Sequence, residues 1–274
     1  MTISPTLRPD CSNCFALCCT ALGFARSADF AIDKPAASAC PNMASDFSCT
    51  IHQRLRPRGF SGCTVFDCFG AGQVVSQRTF GGTSWVQDPE SKASMFAVFK
   101  IVKQLHEMLW YLAEAEQRAF DPELAATARG LFTDIESTSQ GEVSAVLTAD
   151  VGHLHARVRA LLMEVSEEVR ASYAADGREM PDAGIHPGAD LMGANLAKRQ
   201  LCGSDLRGAY LIGANLERSD LTAVDLLGAD LRDTRLHGAN LARSLYLTQP
   251  QINAAQGKRE TRLPERLATP AHWH

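Results

Sequence analysis

GANLERSDLTAVDLLGADLRDTRLHGANL, residues 213–241, carries a leucine at every fifth position: Leu216, Leu221, Leu226, Leu231, Leu236 and Leu241. The ladder starts earlier, at Leu191, Leu196, Leu201, Leu206 and Leu211, giving eleven consecutive matches. An α-helix turns by about 100° per residue, so a step of five scatters these side chains around the cylinder. On a straight strand the same step changes face every time. A chain that turns a corner every five residues does bury the set, because each short extended segment again points its leucine at a common axis. That is a solenoid.

Two residues before each leucine stands a small side chain, from Ala189 and Ala194 through Ser204, Ala209, Ala214, Ser219, Val224, Ala229 and Thr234 to Ala239, with Arg199 the exception. Residues two apart on a strand share a face, so these groups are expected to point inward, where a narrow core admits nothing bulky. Between them, expected to face out, lie Asp190, Asn195, Asp205, Asn215, Asp220, Asp225, Asp230 and Asn240. Asp and Asn suit corners because they bond neighbouring backbone.

On these residues the stretch from about Ala189 to Tyr246 resembles the pentapeptide-repeat family, whose repeat is Ala, then Asp or Asn, then Leu and two variable positions. The resemblance implies a right-handed quadrilateral β-helix with four repeats per coil, hence about three coils, only ~14 Å tall at ~4.8 Å per coil. Short solenoids need their open ends covered. The helical region is expected to cap one end and the chain from Thr248 the other, with a short helix in LTQPQINAAQG and an irregular tail beyond it. The final LPERLATPAHW looks like the tail that follows the repeats in some bacterial members. The resemblance also brings in DNA-mimicking members that protect DNA gyrase through a long acidic surface. Here seven acids and seven bases between Ala189 and Leu247 cancel.

Eight of the nine cysteines fall between Cys11 and Cys68: CSNCFALCC holds Cys11, Cys14, Cys18 and Cys19, followed by Cys40, Cys49 in CTIH, and Cys63 and Cys68 in GCTVFDC. Closely spaced thiolates reach one ion from a tight turn, a geometry used by zinc and by iron sites. Eight thiols allow two four-cysteine sites, or one site with spare thiols, and the adjacent Cys18 and Cys19 are a poor chelate for a single ion if they diverge. Disulfide stapling and a thiol redox centre at CSNC remain alternatives. The order CxxC, CC, Cys, Cys-Thr-Ile-His, C-x4-C resembles a cysteine-cluster family described as zinc- or iron-chelating. All eight cysteines are then expected metal ligands, with zinc the expected ion and iron or an iron–sulfur cluster the alternative. His52 is a ligand, a supporting donor or simply exposed. Cys202 is expected at an ordinary solenoid position of the repeat, and His153, His155, His272 and His274 have no partner at metal spacing.

The segment 1–87 is loop-rich, with no long apolar periodicity, and is expected to need a staple other than its core. Residues 88–175 change character. Met95, Phe99, Val102, Leu105, Leu109 and Leu112, then Leu124, Ala128, Leu131 and Ile135, then Val151, Leu154, Val158, Leu161, Val165 and Val169 form three helical stripes. Asp88 or Ser91 is placed to cap the first, and Asp121-Pro122 ends or restarts it. DGREMPDAGIHPG, residues 176–188, reads as a boundary. The sequence therefore predicts a multidomain α+β chain: a metal-stapled cysteine-rich domain at 1–87, a three-helix bundle or connector at 88–175, the β-helix at 183–250 and a C-terminal cap at 251–274.

Net charge is −4 for 274 residues, so no basic field recruits nucleic acid or anionic lipid. Neither a secretory signal nor an apolar run long enough for a membrane span is present, and a cytoplasmic setting is the expectation. No nucleotide-binding glycine pattern or catalytic triad is found, so no catalytic or cofactor-binding residue is assigned. The leading reading is a non-enzymatic adaptor that presents a docking face to a protein partner, with homodimerisation left open. The alternatives are an iron–sulfur or metal-dependent redox or group-transfer enzyme, and a gyrase protector.

Overall fold

Apolar spacings of three and four in the middle of the chain become long helices. The structure, a computed structural model, describes residues 7–175 and 184–273. Helices follow in the order α1 (Leu17–Ala21), α2 (Ser61–Thr64), α3 (Ala71–Gln73), α4 (Lys92–Arg118), α5 (Pro122–Ser139), α6 (Val143–Leu147), α7 (Val151–Ala175) and α8 (Gln249–Ala254). The Asp88 carboxylate accepts the Glu90 N–H at 3.2 Å ahead of α4, and Asp121 accepts the Glu123 N–H at 2.8 Å at the start of α5. The chain divides into two compact units, Met1–Ala113 with Ala126–Ala160 and Glu114–Ala125 with Leu161–His274. Most of the expected boundary at 176–188, residues 176–183, lies outside the described residues, as does His274.

The first unit joins the cysteine-rich segment to the front of α4. Leu17, Ala21, Ala71 and Val75 pack with Met95, Phe96, Val98, Phe99, Val102 and Val146 in one buried cluster. An aromatic relay of Phe15, Phe47, Trp85 and Phe96, with ring centroids 5.4, 5.8 and 5.9 Å apart, lines its edge. The segment read as needing a staple thus borrows apolar surface from a helix outside it.

In the second unit the period of five has a specific cause. Each leucine carbonyl accepts the N–H three residues on, as in Ala194 to Leu191 at 3.0 Å and Ala214 to Leu211 at 2.9 Å. The third residue of the turn takes a left-handed backbone, φ +64° at Gly193 and +63° at Gly208, the geometry that favours glycine. Asp and Asn act one step earlier. Asp190 Oδ1 accepts the Met192 N–H at 3.2 Å, Asn215 the Glu217 N–H at 3.1 Å and Asp225 the Leu227 N–H at 2.9 Å.

Successive turns then stack. Parallel bridges join Asp190 to Tyr210, Tyr210 to Asp230, Asn195 to Asn215 and Asp220 to Asn240, each partner being twenty residues further on. Leu206, Leu211, Leu216, Leu221, Leu236 and Leu241 are fully buried along the axis. Hydroxyls on the inner face avoid a desolvation penalty by bonding leucine carbonyls of the preceding turn: Ser219 to Leu196 at 2.6 Å, Thr234 to Leu211 at 2.6 Å and Ser244 to Leu221 at 2.9 Å. The chain beyond Tyr246 is more regular than the fading repeat suggests. Thr248 and Gln251 form a capping box at α8, Gln256 and Arg262 bridge to Arg235 and Asn240, and Trp273 is buried against Gly257.

Two corrections follow. Helix accounts for 43% against 7% strand or bridge, and there is no sheet among the described residues. The α+β class with a right-handed quadrilateral β-helix of about three coils is therefore replaced by a mainly helical chain whose repeats pair through isolated bridges. The physical reason is that the backbone bends at every leucine, so the repeats stack through single isolated bridges and no extended strand forms. The outward placement of the Asp column also fails at Asp225, which is fully buried. Its Oδ2 has no hydrogen bond and meets Arg207 Nε only at 3.5 Å.

Burial pushes the Asp225 carboxyl up to about 6, against partial relief from the Ser166 hydroxyl and the Leu227 amide. A carboxyl with a raised folded-state value stabilises the fold when protonated, and that contribution is lost as pH rises through 6. Asp225→Asn is expected to exceed the parent by about 1–3 kcal/mol in chemical denaturation at pH 8, with the gap closing toward pH 4. Leu221→Ala should cost about 2–5 kcal/mol. Lys198 occupies the turn position at φ +61°, so Lys198→Gly should raise stability by about 0.5–1 kcal/mol, and an unchanged or lower denaturation midpoint would contradict the turn assignment.

Candidate metal centre

The cysteine segment is wound by short local bonds, with Cys11 and Cys63 exposed and its other cysteines half-buried. The Asp10 carboxylate accepts the Ser12 N–H at 3.1 Å and the Asn13 side-chain amide at 2.7 Å, and closes the turn that carries Cys11 and Cys14. Helix α1 carries Cys18 and Cys19, whose sulfurs lie 3.8 Å apart. The Cys40 N–H donates to the Cys19 carbonyl at 3.0 Å, and Met43 bridges to Cys49. Cys63 sits in α2.

Cys68 enters through a strained loop. Phe69 and Gly70 are both left-handed, at φ +49° and +78°. Asp67 accepts the Phe69 N–H at 2.7 Å, and the buried His106 ring donates from Nδ1 to the Phe69 carbonyl at 2.7 Å. Burial lowers the pKa of His106, which keeps the ring neutral and suited to that single donation. Past the loop, Gly72 leaves room for two sulfurs: a methyl group there would stand 2.7 Å from Cys14 Sγ and 3.8 Å from Cys68 Sγ.

The fields of these groups overlap across all eight N-terminal cysteines. Cys14 couples to Cys68 and Cys11, and Cys18 to Cys14, Cys68 and Cys19. Cys63 couples to Cys19, Cys40 and Cys49. Lys34 lies among Cys40, Cys19, Cys18 and Cys63, 4% exposed, its ammonium donating to the Ser38 carbonyl at 2.8 Å and lying over the Phe24 ring. Burial pushes the Cys14 and Cys63 thiols up to about 11. In the adjacent pair, the hydrogen bond from Cys18 and the Lys34 charge hold Cys19 down at about 7, while the same bond and burial raise Cys18.

Sulfur donors at this density match the preference of zinc and of iron–sulfur clusters. All nine cysteines are free of disulfides. Among the described residues no three His, Cys, Asp or Glu groups are close enough to hold an ion. His52, His153 and His155 are exposed, and His272 lies near the Ala255 carbonyl at 3.3 Å, away from the cysteines. Cys202 belongs to the repeats, 3.9 Å from the Asp220 carbonyl. Lys34, Gly72 and His106 were absent from the sequence-derived site. A lone lysine or glycine in a loop and a histidine inside a helical stripe give no spacing signal.

On the repeat surface, the polar groups are largely engaged with one another. Arg207 reaches Asp205 through Nε at 2.8 Å and Nη2 at 2.5 Å, Arg232 reaches Asp230 through Nη2 at 2.6 Å, and Asn240 bonds Asp220 and Thr222 at 3.1 Å each. Tyr210 and Met192 stand exposed at 52% and 56% beside them.

The family described as pentapeptide repeats matches residues 189–228 and 204–244, with eight copies. The chain is 46% identical over 267 residues to the "Uncharacterized protein YybG" of Bacillus subtilis (strain 168), covering 97% of this chain and 95% of that one. Among solved structures it is similar to the pentapeptide repeat protein Rfr23 from the cyanobacterium Cyanothece 51142, at 29% identity over 31% of this chain and 54% of that chain, TM-score 0.18. It is also similar to alr5209, a pentapeptide repeat protein from Nostoc Pcc 7120, at 28% identity over 36% of this chain and 92% of that chain, TM-score 0.13. The chain thus carries pentapeptide repeats across residues 189–244 and belongs to one family with YybG.

Proposed function

We propose that this protein is a non-enzymatic docking protein, with a repeat surface that engages a protein partner and a cysteine segment that holds zinc. The observation that carries the docking reading is the locked outer surface of the repeats. Side chains such as Asp190, Asn215 and Asp230 are tied to backbone two residues on, and Asp205 and Asp230 to their arginines, so a partner meets a surface already fixed in place. The exposed Tyr210 is an aromatic anchor of the kind that dominates binding surfaces. Charge balance on this surface favours a protein over a DNA-mimic role. No helix among the described residues is long and apolar enough to cross a membrane.

For the cysteine segment, the support is eight sulfurs free of disulfides, each in electrostatic range of at least one other, and the bare backbone at Gly72 beneath Cys14 and Cys68. Ion capture requires the sulfurs to draw together and to release protons, because burial holds Cys14 and Cys63 as thiols at neutral pH. The Cys19 thiol, held down at about 7 and so partly ionised near neutral pH, favours one competing reading, a redox or iron–sulfur enzyme, since a thiolate is the reactive and ligating form.

Elemental analysis of anaerobically purified protein tests the metal reading, and crosslinking in cells from a photoreactive residue at position 210 tests the docking reading. Stoichiometric zinc in colourless protein is expected, with Cys11→Ser/Cys14→Ser losing most of it and exposing residues 1–87 to protease while the repeats stay resistant. Gly72→Ala should weaken zinc retention by about tenfold, the size of loss typical for a disturbed metal surround. Metal-free protein with paired cysteines would overturn the metal reading. A brown protein would favour the enzyme, and the absence of any discrete crosslinked species would count against docking.

A further inference from the structure

The second unit contains a cavity of about 520 Å³ whose lining has nothing to do with the cysteines. Arg118 from the end of α4, Phe120 from the link to α5, Val169, Ser172 and Tyr173 from α7, and Arg243 from the last repeat surround it. We propose that this cavity is a binding site for a small organic oxyanion, a carboxylate or a phosphate ester, that carries an aromatic body.

Charge is the first argument. The Arg118 guanidinium donates through Nη2 to the Arg243 carbonyl at 3.0 Å, which brings two cationic side chains to one cavity. Burial lowers the Arg118 pKa, and the neighbouring Arg243 charge adds to that effect, opposed by Glu114. Neither guanidinium forms an ion pair among the described residues. The carboxylates nearby are already committed: Glu114 accepts the Tyr246 N–H at 2.8 Å and pairs with Arg266, and Glu168 accepts the N–H groups of Phe120 and Asp121 at 2.8 and 2.7 Å. Asp121 caps α5 through the Glu123 N–H. Two like charges beside a half-enclosed space, with every local carboxylate engaged, favour an anion between them, and guanidinium suits the planar fork of a carboxylate or phosphate.

Shape and apolar surface are the second argument. Phe120 is 63% exposed, a large apolar ring left in water. Its position is not free, because Glu168 clamps the two amides of its loop and so holds the ring at the mouth of the cavity. Tyr173 and Val169 continue the apolar wall, and the Ser172 hydroxyl lies on the same side of α7. The volume falls within the range of small-ligand sites, and an apolar wall with a few convergent polar groups is their usual composition. An anionic head at the arginines with a ring against Phe120 uses both features.

Calorimetric titration of the full chain with phenyl phosphate, benzoate, inorganic phosphate and the neutral benzyl alcohol tests this. We expect saturable one-to-one binding of phenyl phosphate or benzoate, weakening with salt, and at least tenfold weaker binding of benzyl alcohol. The relative strength of the first two identifies which oxyanion the arginines prefer. Arg243→Gln, an exposed position whose structural bonds come from its backbone, should weaken the anion by about ten- to a hundredfold without changing the melting temperature. Phe120→Ala should bring phenyl phosphate down to the level of inorganic phosphate. No saturable binding of either aromatic anion at millimolar concentration, equal binding of benzyl alcohol, or indifference to Arg243→Gln would each overturn the proposal.

Discussion

The backbone turn closed on each leucine carbonyl is the constraint from which the second unit is built. One hydrogen bond, from the small residue three positions on, bends the chain at every leucine and sets the period at five. The bend delivers the leucine to the axis, and the next small residue follows it inward. Because four such bends bring the chain back above itself, the amide of Leu211 meets the carbonyl of Asp230 at 2.9 Å, and the amide of Tyr210 meets that of Ala189 at the same distance. Interior and ladder are therefore consequences of one local geometry, and the left-handed third position is its main strain.

That regularity is interrupted at two places, Asp225 and Tyr246. Asp225 occupies an Asp position of the repeat yet lies fully buried, beside Arg207 and in reach of the Ser166 hydroxyl. Tyr246 ends the ladder with its amide on Glu114 and its hydroxyl on the Leu162 carbonyl at 3.1 Å, so the last repeat is anchored by a buried side chain instead of a further turn. In the first unit the ordering principle is different. Short loops are held by side-chain caps and by aromatic packing, and left-handed Phe69 is fixed by His106. A segment with little regular structure gathers its thiols because its loops are pinned at both ends.

Legibility in the sequence followed periodicity. The eleven leucines and the alternating small residues identify the repeat and its buried axis, and the spacing of three and four locates α4, α5 and α7. Gly188, Gly193, Gly203, Gly208 and Gly213, a series broken by Lys198, carry the turn signal, whereas Asp and Asn, expected at the corners, fix the residue one step earlier. The structure differs from the expected β-helix because a repeat pattern fixes which residues point inward but not how long each flat stretch is. In the cysteine segment, spacing named the thiols, whereas their supports were invisible: Lys34, Gly72 and His106 act through contacts between residues distant in sequence. The cavity at Arg118 and Arg243 is hidden for the same reason, since its two arginines are more than a hundred residues apart.

Amide hydrogen exchange across residues 206–241 tests the central claim most directly. The amides of Leu211, Gly213, Ala214 and Asn215 donate to backbone carbonyls, whereas those of Glu217 and Thr222 bond the Asn215 and Asp220 side chains. Across residues 206–226 protection should therefore fall once in every five residues, at the position after each leucine, with the remaining amides slow. Uniformly rapid exchange, or a protection pattern alternating every two residues, would contradict the stacked five-residue turn.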